Sequence, residues 1–219
     1  MAAEVITNSL KYNKNQTYLI FDGESCNLNL VSTVNKIWQL GFLLSTRDEI
    51  IEERNIYINW PDLKVSNDAA RITGFNEYKV KSEGKDPLKV LQFFEQYLYD
   101  PKHRIVFFNG LNFDVYLINC WYRALGLQFD YTKFIDRCID VRSLVVADKL
   151  GVKFNNEDNF LFWQYQMLNV IKRGLKSSLA SSCKDYGIKL DKENFHDALF
   201  DVYQTRAVLF EMLKKFEIK

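Results

Sequence analysis

The run TYLIFDGES (residues 17–25) sets two carboxylates, Asp22 and Glu24, one residue apart at the end of an apolar stretch. In a strand, residues two apart point to the same side, so both acids would share a face with Tyr18 and Ile20. Like charges at that spacing repel unless one is protonated or a cation lies between them. A second reading makes Asp22 the start of a turn at Gly23 and leaves Glu24 in water. Asp114 follows another apolar run, IVFFNGLNF (residues 105–113), near the start of a helix. A carboxylate is favoured there by the helix dipole alone. Asn109 opens the loop ahead of it and either caps that helix or contacts a ligand. Late in the chain, FHDALFD (residues 195–201) sets His196 before a helix that begins near Asp197, with Asp201 one turn in. Asp197 reads as the N-cap. Asp201 shares a semi-apolar face with Ala198, Thr205 and Val208, where a carboxylate wants a partner. His196 taken alone reads more often as a polar surface or capping residue. If the four acids converge, they form an oxygen-donor set suited to hard divalent cations. Two such ions about 3.5–4 Å apart can activate a water and stabilise the leaving oxygen of a phosphodiester.

The surrounding elements must bring these acids together. TYLIFDGES is apolar on both faces, as expected of a central strand covered by helices. NKIWQLGFLLS and EIIEERNIYIN are β-rich runs joined by TRDE as a hairpin, the second strand confined to about residues 54–59 because helix formers open it. SNDAARITGF reads as a short helix stopped by Gly74. DPLKVLQFFEQYLYD reads as a helix with Asp86 as N-cap and Pro87 at its first position. HRIVFFN is a second apolar strand, NFDVYLINCWYRALG a helix ending at Gly126, and RCIDVRSLVVADKL a weaker strand turning into a helix. The last third is helical, and residues 151–159 read as an exposed loop or an insertion. Strands first, then strands alternating with helices, imply one mixed sheet flanked by helices.

The 219 residues are 47% hydrophobic and 26% charged, with a net charge of +1. This is a globular composition whose overall charge points neither to nucleic acid nor to an acidic membrane. The four cysteines and two histidines lack zinc-site spacing and read as reduced thiols of a cytoplasmic protein. No signal peptide or membrane span is expected. Residues 1–16 read as a flexible arm ahead of a single domain over 17–219.

Order, spacing and element type resemble the DnaQ-like, or DEDDh, 3′→5′ exonucleases of the ribonuclease H-like superfamily. The family's Asp-x-Glu matches Asp22 and Glu24; its Asn/His followed by Phe-Asp matches Asn109, Phe113 and Asp114; its His-x4-Asp matches His196 and Asp201. RITGF (residues 71–75), CIDVRSLV around Asp140 and SLASSCKDYGI also resemble family segments, so the match runs from about Thr17 to Phe216. His196, five residues before Asp201, selects the histidine branch. Ser25-Cys26 and Asn109-Gly110 depart from the commoner pattern.

The resemblance implies an α/β fold with a mixed five-stranded sheet flanked by helices. It assigns Asp22, Glu24, Asp114 and Asp201 to two divalent ions, Mg²⁺ or Mn²⁺, and makes His196 the general base. The implied partner is the 3′ end of a single-stranded nucleic acid, DNA favoured over RNA, with a polymerase or a second copy of the chain as a further partner. Ser25, Asn109 and Phe75 are the substrate-binding candidates. Phe160–Tyr165 could stack bases, although their helical spacing favours core packing. The basic clusters KYNK, KVK and IKRGLK fit phosphate contacts or ordinary solvated faces. The rival to an exonuclease is a catalytically silent module of the same fold that binds nucleic acid or serves as a scaffold.

Overall fold

The computed structural model describes residues 10–27, 35–155, 158–189 and 197–217. Five strands form one sheet in the order β3-β2-β1-β4-β5. β1 (Thr17–Ser25) lies at the centre, antiparallel to β2 (Ile37–Ser45) and parallel to β4 (His103–Phe107). β3 (Ile50–Tyr57) and β5 (Cys138–Asp140) are the edges.

Eight α-helices accompany the sheet among the described residues: α1 (Asn67–Thr73), α2 (Glu77–Glu83), α3 (Pro87–Leu98), α4 (Asp114–Ala124), α5 (Val141–Leu150), α6 (Phe160–Leu168), α7 (Leu179–Asp185) and α8 (Ala198–Phe216). Leu19 and Phe21 face one way, into a core closed by Val90, Leu91 and Phe94 of α3 and Leu117, Ile118 and Trp121 of α4. Tyr18 and Ile20 face the other, against Leu144 and Val145 of α5 and Val202, Val208 and Leu209 of α8. This is the two-sided burial that an all-apolar central strand demands. Leu10, within the stretch expected as an arm, is buried in this second core.

The caps follow the sequence. Asp86 accepts the Lys89 N–H at the start of α3, Ser66 accepts the Ala69 N–H at the start of α1, and Gly74 ends α1 at φ 63. Two expectations are corrected. β3 begins at Ile50 rather than near residue 54. Its glutamates and Arg54 are helix formers in isolation, but an edge strand with an open face accepts charge that a central strand would not. α2 was not foreseen, because Val80 is its one buried residue and leaves no apolar period to read. α6 occupies the stretch after the uncertain loop. Phe160 and Trp163 stack at 5.8 Å and are buried, as core packing predicted, while Phe162 is exposed.

Buried Gln164 of α6 closes the β5 edge. Its Oε1 accepts the Asp140 N–H at 2.6 Å and its Nε2 donates to the Cys138 carbonyl at 3.1 Å. In this way it does with one side chain what a sixth strand would do with its backbone.

Candidate active site

Asp22 and Glu24 lie in the second half of β1, opposite Gly41 and Gln39 of β2. The register breaks between Glu24 and Ser25, so regular pairing ends just where the acids stand. α8 crosses this face at unusually close range. A Cβ placed on Gly41 would lie 2.5 Å from the Ala198 carbonyl carbon and the Leu199 nitrogen, so only glycine lets the first turn of α8 rest on the strand. Asp197 caps α8 by accepting the Phe200 N–H, and its other oxygen accepts from Gln39 Nε2 at 2.8 Å. Those contacts fix the first turn over the sheet. One oxygen each from Asp22, Glu24 and Asp201 then lie within 4.8 Å of one another.

Asp114 opens α4. The backbone N–H of Gly23, the residue between Asp22 and Glu24, lies near enough to favour its charged form. Asp114 is buried, and its Oδ1 has no hydrogen-bond partner among the described residues. The loop that leads to it is held by Asp140, also buried, which accepts the N–H groups of Asn109 at 2.9 Å, Leu111 at 3.1 Å and Arg142 at 3.0 Å.

The electrostatics are those of an overcrowded acidic centre. Burial, then Asp114, Glu24, Asp201 and Asp197, drives the Asp22 carboxyl well above the usual range. Burial followed by Asp201 and Asp114 does the same to Glu24. Burial first, with Asp140 second, pushes Asp114 up to about 7. Burial pushes Asp140 up to about 6, with its N–H donors pulling the other way. A buried acceptor left without a donor beside three clustered oxygens fits a hard divalent cation, which supplies charge and coordination together.

The remaining candidates have local partners. Ser25 is buried and donates to the Asn27 carbonyl at 2.9 Å. Phe75 packs edge-on against Trp38 at 5.1 Å. Asn109 does not cap α4, whose N-cap is Phe113 with no side-chain bond; its side chain accepts from Arg142 instead. His196, one residue ahead of the α8 cap, lies outside the described residues. Sequence reasoning passed over Gly41 and Gln39. A glycine within the apolar run QLGFLL was the available signal for a close backbone approach.

With this geometry in place, solved structures supply the comparison. Escherichia coli exonuclease I in complex with a dA16 oligonucleotide superposes with a TM-score of 0.68 over 92% of this chain and 41% of that one, at 20% identity. The zinc-bound exonuclease I complex with single-stranded DNA gives 0.69 over 91% and 40%, at 18% identity. A 3′-exonuclease solved in recognising the 3′ end of a histone mRNA stem-loop gives 0.66 over 96% and 68%, at 15% identity. The fold is ribonuclease H-like. At these identities the likeness is one of fold, and the chain spans about two-fifths of the length of exonuclease I. No protein-family model matches the sequence, and no curated protein matches it. Among the described residues, no helix is long and apolar enough to cross a membrane.

Proposed function

We propose that this chain is a metal-dependent 3′→5′ exonuclease that removes nucleoside 5′-monophosphates from the 3′ end of single-stranded nucleic acid. The observation that carries the reading is the convergence of Asp22, Glu24 and Asp201 within 4.8 Å, beside the unpartnered Asp114 oxygen. A surplus of buried negative charge costs folding stability, and a nuclease centre accounts for its presence. Exonuclease I, of the same fold, is solved with single-stranded DNA, which favours DNA as substrate; the histone mRNA 3′-exonuclease keeps RNA in the comparison.

Asp22, Glu24, Asp114 and Asp201 would hold two divalent ions, Mg²⁺ or Mn²⁺. Bound there, such ions lower the pKa of a water and neutralise charge on the leaving oxygen. The chain's own residues supply orientation and proton transfer. The Asp140-held loop positions the Asp114 carboxylate, and the Asp197 cap together with Gly41 fixes Asp201. His196, adjacent to that cap in sequence, takes the proton of the attacking water on an imidazole nitrogen. The water oxygen bonds to phosphorus, the bond from phosphorus to the 3′-oxygen breaks with its electron pair going to that oxygen, and the oxygen takes a proton from solvent, so the shortened strand leaves with a 3′-hydroxyl.

Single strands of DNA and RNA labelled at the 3′ or the 5′ end, incubated with Mg²⁺, Mn²⁺ or EDTA, test the reading. Mononucleotide released at once from the 3′ label, a shortening ladder from the 5′ label and no reaction in EDTA are expected. His196→Ala should lower the rate at least ~10²-fold, the scale for a positioned base, while Mg²⁺ binding persists. Binding of single strands with no metal-dependent cleavage would replace the exonuclease by the silent binding module. Cleavage of circular substrates would replace it by an endonuclease.

A further inference from the structure

Arg142, in the first turn of α5, ties three segments together. Its Nη1 donates to Asn109 Oδ1 at 2.9 Å and its Nε to Ser177 Oγ at 3.2 Å. Its backbone N–H goes to Asp140, the carboxylate that also holds Asn109 and Leu111. Asn109 has φ 67, the one positive φ of a non-glycine residue among the described residues. Asparagine tolerates that region better than most residues, yet the conformation persists only where surrounding bonds fix it. Here the bonds are Asp140 on its N–H, Arg142 at 2.9 Å and the longer Asn112 Nδ2 at 3.4 Å on its side-chain oxygen, and the Asn112 N–H on its carbonyl at 3.2 Å.

The chemistry of the pair dictates which way the Asn109 amide points. A guanidinium carries donors and no acceptor, whereas an amide carries one acceptor oxygen and two N–H donors. The oxygen must therefore face Arg142; turned over, the amide would set donor against donor. With the oxygen spent, both N–H donors of Asn109 point away from Arg142, and among the described residues they meet no acceptor. They sit on the loop between β4 and Asp114, five residues before that carboxylate. Phosphates and sugars offer oxygens that accept such donors.

We propose that Arg142 is a positioning residue that holds the Asn109 amide as a fixed hydrogen-bond donor to an oxygen of the nucleotide bound beside Asp114. This rests on the nuclease reading above. It assigns to Arg142 an effect on substrate affinity exerted through Asn109, distinct from a phosphate contact of its own. Arg142→Lys keeps a single donor for the Asn109 oxygen but loses the fork that also engages Ser177.

A double-variant cycle tests it, read as binding of a fluorescent oligo-dT by anisotropy in EDTA and as KM and kcat in Mg²⁺. Asn109→Ala and Arg142→Ala should each weaken binding and raise KM by about 5–10-fold, the scale of one well-placed hydrogen bond, with kcat changed less. The double variant should be no worse than Asn109→Ala alone, and Arg142→Lys should recover part of the loss. Losses that multiply in the double variant would overturn the proposal in favour of an independent phosphate contact by Arg142. So would an Arg142→Ala protein, folded by circular dichroism, that binds as the wild type does. If the wild type digests no nucleic acid in Mg²⁺ or Mn²⁺, the nuclease reading fails first. Wild-type digestion with an additive or neutral cycle removes the Arg142 role alone.

Discussion

Replacing Asp114 by asparagine should abolish nuclease activity and, in the absence of metal, make the protein more stable. The carboxyl is buried and its pKa is pushed from 3.8 to about 7. A carboxyl raised in the folded state contributes stability below its unfolded pKa and loses it as pH rises through the folded value. Above pH 7, holding Asp114 ionised inside the fold costs on the order of 4 kcal/mol, at about 1.36 kcal/mol per pH unit between the two values. Asparagine keeps the shape of the carboxyl without its charge, and its NH₂ meets the neighbouring carboxylates, so most of that cost disappears. Desolvating the amide returns part of it, leaving a gain of about 2–4 kcal/mol near pH 8. For a domain of this size that is on the order of 10 °C in Tm. Near pH 5 the gain should fall by about 2.7 kcal/mol, to between about −1 and 1 kcal/mol, because the wild-type carboxyl is by then mostly protonated in the fold. Thermal unfolding followed by circular dichroism, in EDTA and in millimolar Mg²⁺, measures both effects. Mg²⁺ should stabilise the wild type near pH 8 and the variant far less. A variant less stable than the wild type near pH 8 in EDTA, or one stabilised by Mg²⁺ to the same degree, would refute the reasoning.

Gly41→Ala should push α8 off the sheet, because the new Cβ meets helix backbone at 2.5 Å rather than a flexible side chain. About 1–3 kcal/mol of stability should go with it, and a displacement of Asp201 by ~1 Å should lower the rate by ~10²-fold; wild-type rate and Tm together would show that the helix tolerates the methyl. Gln164→Leu should leave the Asp140 N–H and the Cys138 carbonyl buried without partners, costing about 2–4 kcal/mol in chemical denaturation, with activity falling because Asp140 anchors the loop to Asp114. A cost below ~1 kcal/mol would mean that water replaces the glutamine at the β5 edge.

The sheet and the acids were legible in the sequence for a physical reason. A central strand must be apolar on both faces, so Asp22 and Glu24 stood out against Leu19 to Phe21, and Asp86–Pro87 and Asp197 announced their helices through capping chemistry. β3 was misjudged because edge strands obey solvent more than propensity, and α2 was missed because its burial rests on Val80 alone. Gly41 and Gln39 were illegible for another reason. Their roles depend on α8, some 160 residues away, and the glycine inside QLGFLL signals a close approach without saying which element makes it. Asp140 showed itself as a likeness to a family segment, while its task as anchor for Asn109 and Leu111 exists only once β4 and β5 pair.

The crowding of Asp22, Glu24 and Asp114 has an evolutionary side. Most substitutions weaken a protein, but neutral replacements at these positions relieve repulsion and leave a chain that folds more readily. Descent into a silent module of the same fold is therefore downhill in stability, one substitution at a time. On the proposed function, only selection for the chemistry holds such acids together against that slope.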